Sequence, residues 1–252
     1  MLDHEDTAPR REVLEIERRT GLRGFTLIEM AVAIFVIALL LGSFLVPLTT
    51  QVEQRQIGDM EKNLSEMRDA LLGFAIANGY LPCPDTGTNG SENAGATTCS
   101  TITSNVACGR LPYVTLGVPN SDVWGNRLTY CVNELFARRG AGSTFTLSTV
   151  GTDIRICPTA ATCASAPISS TAIFGIIAHG RNGYGATNLS TGSSNPAAPH
   201  ADERENYDNN DRDIVWRIRT ADGSAAGEFD DVVVWLPRYT LFNRMVAAGK
   251  LP

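Results

Sequence analysis

The chain has 252 residues, 43% hydrophobic, with 27 acidic against 21 basic side chains and a formal net charge of −6. That length buries a real core in one large domain or two small ones. The mild acidity leaves no general basic surface, so a nucleic-acid footprint is not indicated.

Residues 1–24 are polar and carry Arg18, Arg19 and Arg23 just ahead of an unbroken apolar run. The positive-inside rule puts this leader in the cytoplasm and everything after Leu48 on the far side of a membrane. Phe25 to Leu48 spans about 36 Å as a helix, enough for roughly 30 Å of hydrocarbon. A secretory signal is cleaved after its apolar core. Here the small residue, Gly24, stands before the core. Gly42, Ser43 and Pro47 cluster near the outer end, where Pro47 removes a helix hydrogen bond and favours a kink. Glu29 is the anomaly, because a carboxylate near the start of a membrane helix is costly unless it has a partner.

Gly24-Phe25-Thr26-Leu27-Ile28-Glu29, followed at once by apolar residues, resembles the processing site of type IV prepilins and of the pseudopilins of type II secretion. The resemblance implies a dedicated inner-membrane peptidase that cuts between Gly24 and Phe25 and methylates the new terminal residue, Phe25. It also implies that Glu29 pairs with the terminal amine of a neighbouring subunit when the helices bundle into a fibre. The partners implied are other pilin or pseudopilin subunits, the prepilin peptidase and an inner-membrane assembly platform.

Past the apolar run, Ile57, Met60, Leu64, Met67, Leu71 and Phe74 recur at steps of three and four, with charged residues on the other sides. This predicts an amphipathic continuation of the helix over 49–78, ending at Asn78-Gly79. Residues 79–252 then form a globular head. The stretch 80–130 reads as loop-rich. Within it Asp122-Val123-Trp124-Gly125-Asn126, leading to Tyr130, resembles a turn of the major pseudopilin, with Trp124 pinning the turn to the core. Strands are expected at Leu128–Val132, Phe145–Val150, Ile173–Ala178, Ile214–Ile218 and Val232–Leu236. Gly180–His200 reads as an extended loop and Tyr239–Ala248 as a short final helix. The fold class is therefore α+β: a long N-terminal helix, half membrane and half amphipathic, packed on an antiparallel-sheet head in pilin-like fashion.

All six cysteines, Cys83, Cys99, Cys108, Cys131, Cys157 and Cys163, follow the apolar run. An even number on the exported side points to disulfides in an oxidising compartment. Local pairing favours Cys99–Cys108 and Cys157–Cys163, leaving Cys83–Cys131. Zinc is the competing use of cysteine, but no Cys-x-x-Cys pair is present.

The run from Asp202 to Asp213 offers the oxygen ligands that calcium takes. Several pseudopilins hold calcium in a loop of the head, and on that resemblance Asp208, Asn210, Asp211 and Asp213 are the candidate ligands. The spacing departs from an EF-hand, since Arg212 falls at a ligand position and the turn glycine is missing. A solvated acidic loop balanced by Arg204 and Arg212 is the other reading. No other cofactor is expected.

Enzyme signatures are weak. His179 stands at the end of an apolar strand without a second histidine at metal spacing, and there is no Gly-x-Ser-x-Gly elbow. The functional expectation is a non-enzymatic structural subunit, a minor one given its large head, of a type IV pilus or type II secretion pseudopilus. It would sit in the bacterial inner membrane with its head in the periplasm and be extracted into the fibre. A surface pilus, a secretion pseudopilus and a DNA-uptake fibre all fit. The alternative is a membrane-anchored periplasmic enzyme or binding protein that uses residues 25–48 only as an anchor.

Overall fold

The computed structural model describes residues 24–93, 99, 105–137, 145–208 and 211–251, and no side chain between 43 and 49. The leader up to Arg23, and Asn210, lie outside the described residues. One helix, α1, runs from Leu27 to Asn78 and passes through Pro47 without a break. Contacts divide the chain into two units, Met1–Gln51 and Val52–Pro252.

In the first unit every residue from 24 to 42 is exposed, including Phe25, Leu27, Ile34 and Phe35. A helix apolar on all sides calls for a cover of lipid or of other helices. Among the described residues no helix is long and apolar enough to cross a membrane. The expected span of 25–48 includes 43–48, whose side chains are outside the description.

The second unit is an α+β head with a mostly antiparallel sheet, consistent with a pilin-like fold. Its strands are β1 (Val106–Arg110), β2 (Thr129–Asn133), β3 (Ile154–Cys157), β4 (Ser169–Ala178), β5 (Asp213–Val215) and β6 (Val232–Pro237). They run in the order β1-β2-β4-β3-β5, with β6 also paired to β4. One pair, β3 with β5, is parallel.

The period of two along β2 and β4 separates two cores. Tyr130, Val132, Phe174 and Ile176 face the larger one, where Met60, Leu64, Met67, Leu71 and Ala75 of α1 pack. The expected stripe is thus the buried face, while Ile57 and Phe74 are only half-buried at its edges. Phe74 stacks edge-on against Tyr80. Helix α5 (Arg238–Ala247) adds Leu241, Phe242 and Met245 to the same core. The opposite sheet face carries Cys108, Cys131, Ile154, Ile156, Ile177 and Ile214.

Three expectations need correction. Residues 145–150 are not a strand but a turn, closed by the Thr149 amide donating to the Thr146 carbonyl at 2.9 Å. The strand at 214–218 is shorter and shifted, covering only Asp213–Val215. Ala201–Asp208 is a helix, α4, inside the stretch read as an acidic loop. It escapes hydrophobic periodicity because the side chains it buries are Glu203 and Asn206, three residues apart and both polar. The short helix α2 (Tyr113–Leu116) and strand β1 interrupt the loop-rich stretch, and a second short helix, α3 (Glu134–Ala137), follows β2.

The disulfides are Cys83–Cys99, Cys108–Cys131 and Cys157–Cys163. The expected Cys99–Cys108 and Cys83–Cys131 are therefore replaced. The cause is strand pairing: β1 lies antiparallel to β2 with Cys108 directly opposite Cys131, which leaves Cys83 to Cys99. A five-residue strand holding Cys108 and Gly109 has too little alternation to announce that register.

Candidate functional site

Gly24, Phe25 and Thr26 precede the first turn of α1 in non-helical backbone, and Phe25 is 82% exposed. The Glu29 carboxylate folds back on this start. Its Oε2 accepts the Thr26 amide at 2.9 Å and the Thr26 hydroxyl at 2.8 Å, while the Glu29 amide donates to Thr26 Oγ1 at 3.3 Å. This is a capping box, with Thr26 at the N-cap and Glu29 at the third helical position. The Thr-x-x-Glu spacing was legible in the sequence, but the anomaly of the charge overshadowed it.

Gly24 has no comparable role in the fold. A Cβ built on it meets nothing within 4 Å, and its backbone is not in the left-handed region. Among the described residues nothing calls for glycine at this position.

In the head, Asp122-Val123-Trp124-Gly125-Asn126 forms a turn in which Asp122 Oδ1 accepts the amides of Trp124 at 2.9 Å and Asn126 at 2.8 Å. Trp124 packs against the larger core. Asn126 Oδ1 accepts from the Asn195 side chain at 2.9 Å, which ties the turn to the 180–200 segment. The turn thus holds two loops together by backbone and amide hydrogen bonds.

His179 is fully buried, with Nε2 at 2.8 Å from Thr129 Oγ1. Its Nδ1 lies 3.9 Å from Asp231 Oδ1, beyond hydrogen-bond range, and has no hydrogen-bond partner. Burial holds the imidazole neutral, with its pKa down at about 4. Thr129, His179 and Asp231 therefore do not form a connected proton relay. A polar cleft of about 320 Å³ opens beside Thr129, with Asp85, Arg110, Arg127 and Tyr207 in its wall. Its arginines serve the fold, Arg110 donating to the Gly87 carbonyl and Arg127 lying over the Tyr113 ring.

Two groups of carboxylates converge around α4. The outer one is Glu205, Asp211 and Asp213, of which Asp211 and Asp213 were expected calcium ligands; Asp208 lines the same small cavity. Asp213 is gripped at both oxygens by the Arg155 guanidinium, and Asp211 Oδ1 accepts the Asp213 amide. Partial burial, then Asp211, Asp208 and Asp213, push the Glu205 carboxyl up to about 7.

The inner group is Glu203, Asp230 and Asp231, with 1%, 9% and 5% exposure. Glu203 Oε1 accepts from the Asn182 side chain and the Asp230 amide, each at 3.0 Å. Asp230 Oδ2 accepts the Asn182 amide at 3.0 Å, and Asp231 Oδ2 accepts from Asn206 at 2.7 Å. Asn206 also bridges to β5 through both the amide and the carbonyl of Val215. Burial pushes all three carboxyls above their ordinary range. In the sequence Glu203 belongs to the acidic run 202–213, whereas Asp230 and Asp231 lie outside it.

Residues 21–45 match the prokaryotic N-terminal methylation motif, the prepilin-type motif of type IV pilins and pseudopilins. No curated protein and no solved structure matches the chain. The matched segment contains Gly24, Phe25, the Thr26–Glu29 capping box and the exposed apolar helix. The chain thus carries a prepilin-type methylation motif at its N-terminal end.

Proposed function

We propose that this chain is a structural subunit, a minor one, of a type IV pilus or a type II secretion pseudopilus. A prepilin peptidase cuts Gly24–Phe25 and methylates Phe25. The protein sits in the inner membrane with its leader in the cytoplasm and its head in the periplasm, until the assembly platform extracts it into a fibre of pilin-like subunits. The observation that carries this reading is the methylation motif over 21–45. Its support is a glycine the fold does not need, placed in non-helical backbone at the required bond. Co-expression of the full chain with a prepilin peptidase tests it by intact mass. The expected product lacks residues 1–24 and carries one added methyl group, whereas Gly24→Val stays full length with an unchanged head. A full-length product from the parent chain overturns the reading and favours an anchored periplasmic protein.

Glu29 serves twice in this scheme. Its two helix-capping bonds fall on Oε2, so Oε1 keeps acceptor sites for the terminal amine of the adjacent subunit. An ion pair in low dielectric is favourable there because either charge alone is strongly penalised. Glu29→Gln separates the roles, since glutamine preserves the capping box and removes the charge. The expected result is normal cleavage with loss of fibre incorporation, read by immunoblot of sheared fibres. Normal incorporation rules out the charge-pairing role.

A further inference from the structure

The segment that leaves β5 is built the wrong way round for water. Between Val215 and the Thr220–Phe229 bridge, Trp216 and Ile218 alternate with Arg217 and Arg219. In extended chain with one solvated face, period-two alternation sends apolar side chains inward and polar ones outward. Here the Arg217 and Arg219 side chains keep 12% and 27% exposure, whereas Trp216 and Ile218 stand 42% and 84% exposed. Arg217 is bound to its own protein. Its Nε lies 2.8 Å from Asp202 Oδ2, Nη1 donates to Thr220 Oγ1 at 2.9 Å, and Nη2 donates to the Ala226 carbonyl at 3.0 Å. Its guanidinium also covers the Phe229 ring. Arg219 Nη2 reaches Glu53 Oε1 at 3.6 Å. Single exposed apolar residues are ordinary on a protein surface. A pair left outside while the arginines beside them turn inward calls for a cover other than water.

The Arg219–Glu53 pair shows what lies nearby. Both residues belong to the second unit, as does Val52, which is 56% exposed. Glu53 follows Leu48, the last residue of the apolar run, by five residues, which extend over at most about 18 Å. With 25–48 embedded, the segment stays within reach of the headgroup layer. Its chemistry suits that layer, because tryptophan concentrates at membrane–water interfaces. The Trp216 ring stands edge-on to Trp235 at 5.5 Å, and Trp235 packs on the sheet. Trp216 is thus held in place by the fold.

We propose that Trp216 and Ile218 enter the interfacial layer of the phospholipid bilayer and hold this edge of the head on the membrane until the subunit is extracted, a role that rests on the membrane reading of 25–48. Arg217 and Arg219 are engaged by Asp202 and Glu53, so the contact is apolar and does not draw on anionic headgroups. A neutral phosphatidylcholine surface should therefore serve as well as one containing phosphatidylglycerol, with no loss at high salt.

The test reconstitutes the full chain into phosphatidylcholine vesicles whose acyl chains carry bromine near the headgroup, a short-range quencher of tryptophan. Carbonate extraction of the same vesicles reports whether 25–48 is embedded. An embedded chain with quenched fluorescence is expected. Trp216→Phe should lose most of that quenching, since Trp124 and Trp235 pack against the two cores. Ile218→Asp keeps all three tryptophans and changes a side chain that is 84% exposed. It should also lose most of the quenching, with the melting temperature in detergent unchanged. A chain that resists carbonate but is not quenched overturns the proposal and leaves the membrane reading intact. A chain released by carbonate overturns both. Quenching that persists in Trp216→Phe and in Ile218→Asp overturns the proposal as well. A fluorescence change that follows protein density rather than bromine overturns it in favour of a second copy of the chain on this patch.

Discussion

Phe136→Ala should cost the head about 4 kcal/mol, measured as the shift in guanidinium-induced unfolding of the full chain in detergent. Phe136 is fully buried in α3, and its ring lies 5.2 Å from Phe145 and 6.0 Å from Phe242. Phe145 and Phe242 are themselves 6.1 Å apart. One ring therefore joins the strand β2 region, the 145–150 turn and helix α5. Truncating a buried phenylalanine costs about 3–5 kcal/mol through lost transfer energy and the cavity left behind. That range already contains the ring-pair interactions, about 1 kcal/mol each beyond area. Set against a total stability of about 5–15 kcal/mol, that loss leaves a marginal head. Val114→Ala, at a residue 56% exposed, should stay within about 0.5 kcal/mol and serves as the comparison. Equal effects at the two positions would show that the aromatic cluster is not the centre of the fold.

What could be read from the sequence follows from which physical signals are local. The α1 stripe was legible because apolar residues at helical spacing need no knowledge of their partners, and Met60, Leu64, Met67 and Leu71 are the residues buried. The processing motif was legible because Gly24 and Glu29 break the composition around them. Cystine pairing was not legible, since it depends on β1 lying opposite β2, a contact set by the sheet rather than by spacing. Helix α4 and the inner carboxylates were missed for one reason. Sequence reading equates polar with exposed, yet Glu203, Asn206 and Asp231 are buried and held by one another and by the strands. A polar side chain goes inside when its hydrogen bonds are supplied there. The suppliers, Asn182 and Val215, come from other parts of the chain.

The tightness of that inner network predicts the second large effect, at Gly180. Gly180 adopts φ +60°, and a Cβ there would fall 2.1 Å from Asp230 Oδ1 and 2.6 Å from the Asp230 carbonyl oxygen. Left-handed backbone alone costs an alanine about 1–2 kcal/mol. Gly117 isolates that contribution, because its φ is +69° and a Cβ there meets nothing within 4 Å. Gly117→Ala should therefore cost about 1 kcal/mol. Gly180→Ala must in addition push Asp230 away, breaking its bond from the Asn182 amide and the Asp230 amide's bond to Glu203. Overpacking adds about 1–3 kcal/mol and each buried partner lost about 1–3 kcal/mol more, giving at least about 4 kcal/mol in total. Asparagine tolerates left-handed backbone better than alanine, so Gly180→Asn tells the two causes apart. If conformation were the whole difficulty, asparagine would recover most of the stability. Overlap with Asp230 predicts that it does not, and chemical denaturation of the alanine and asparagine variants beside Gly117→Ala decides between them.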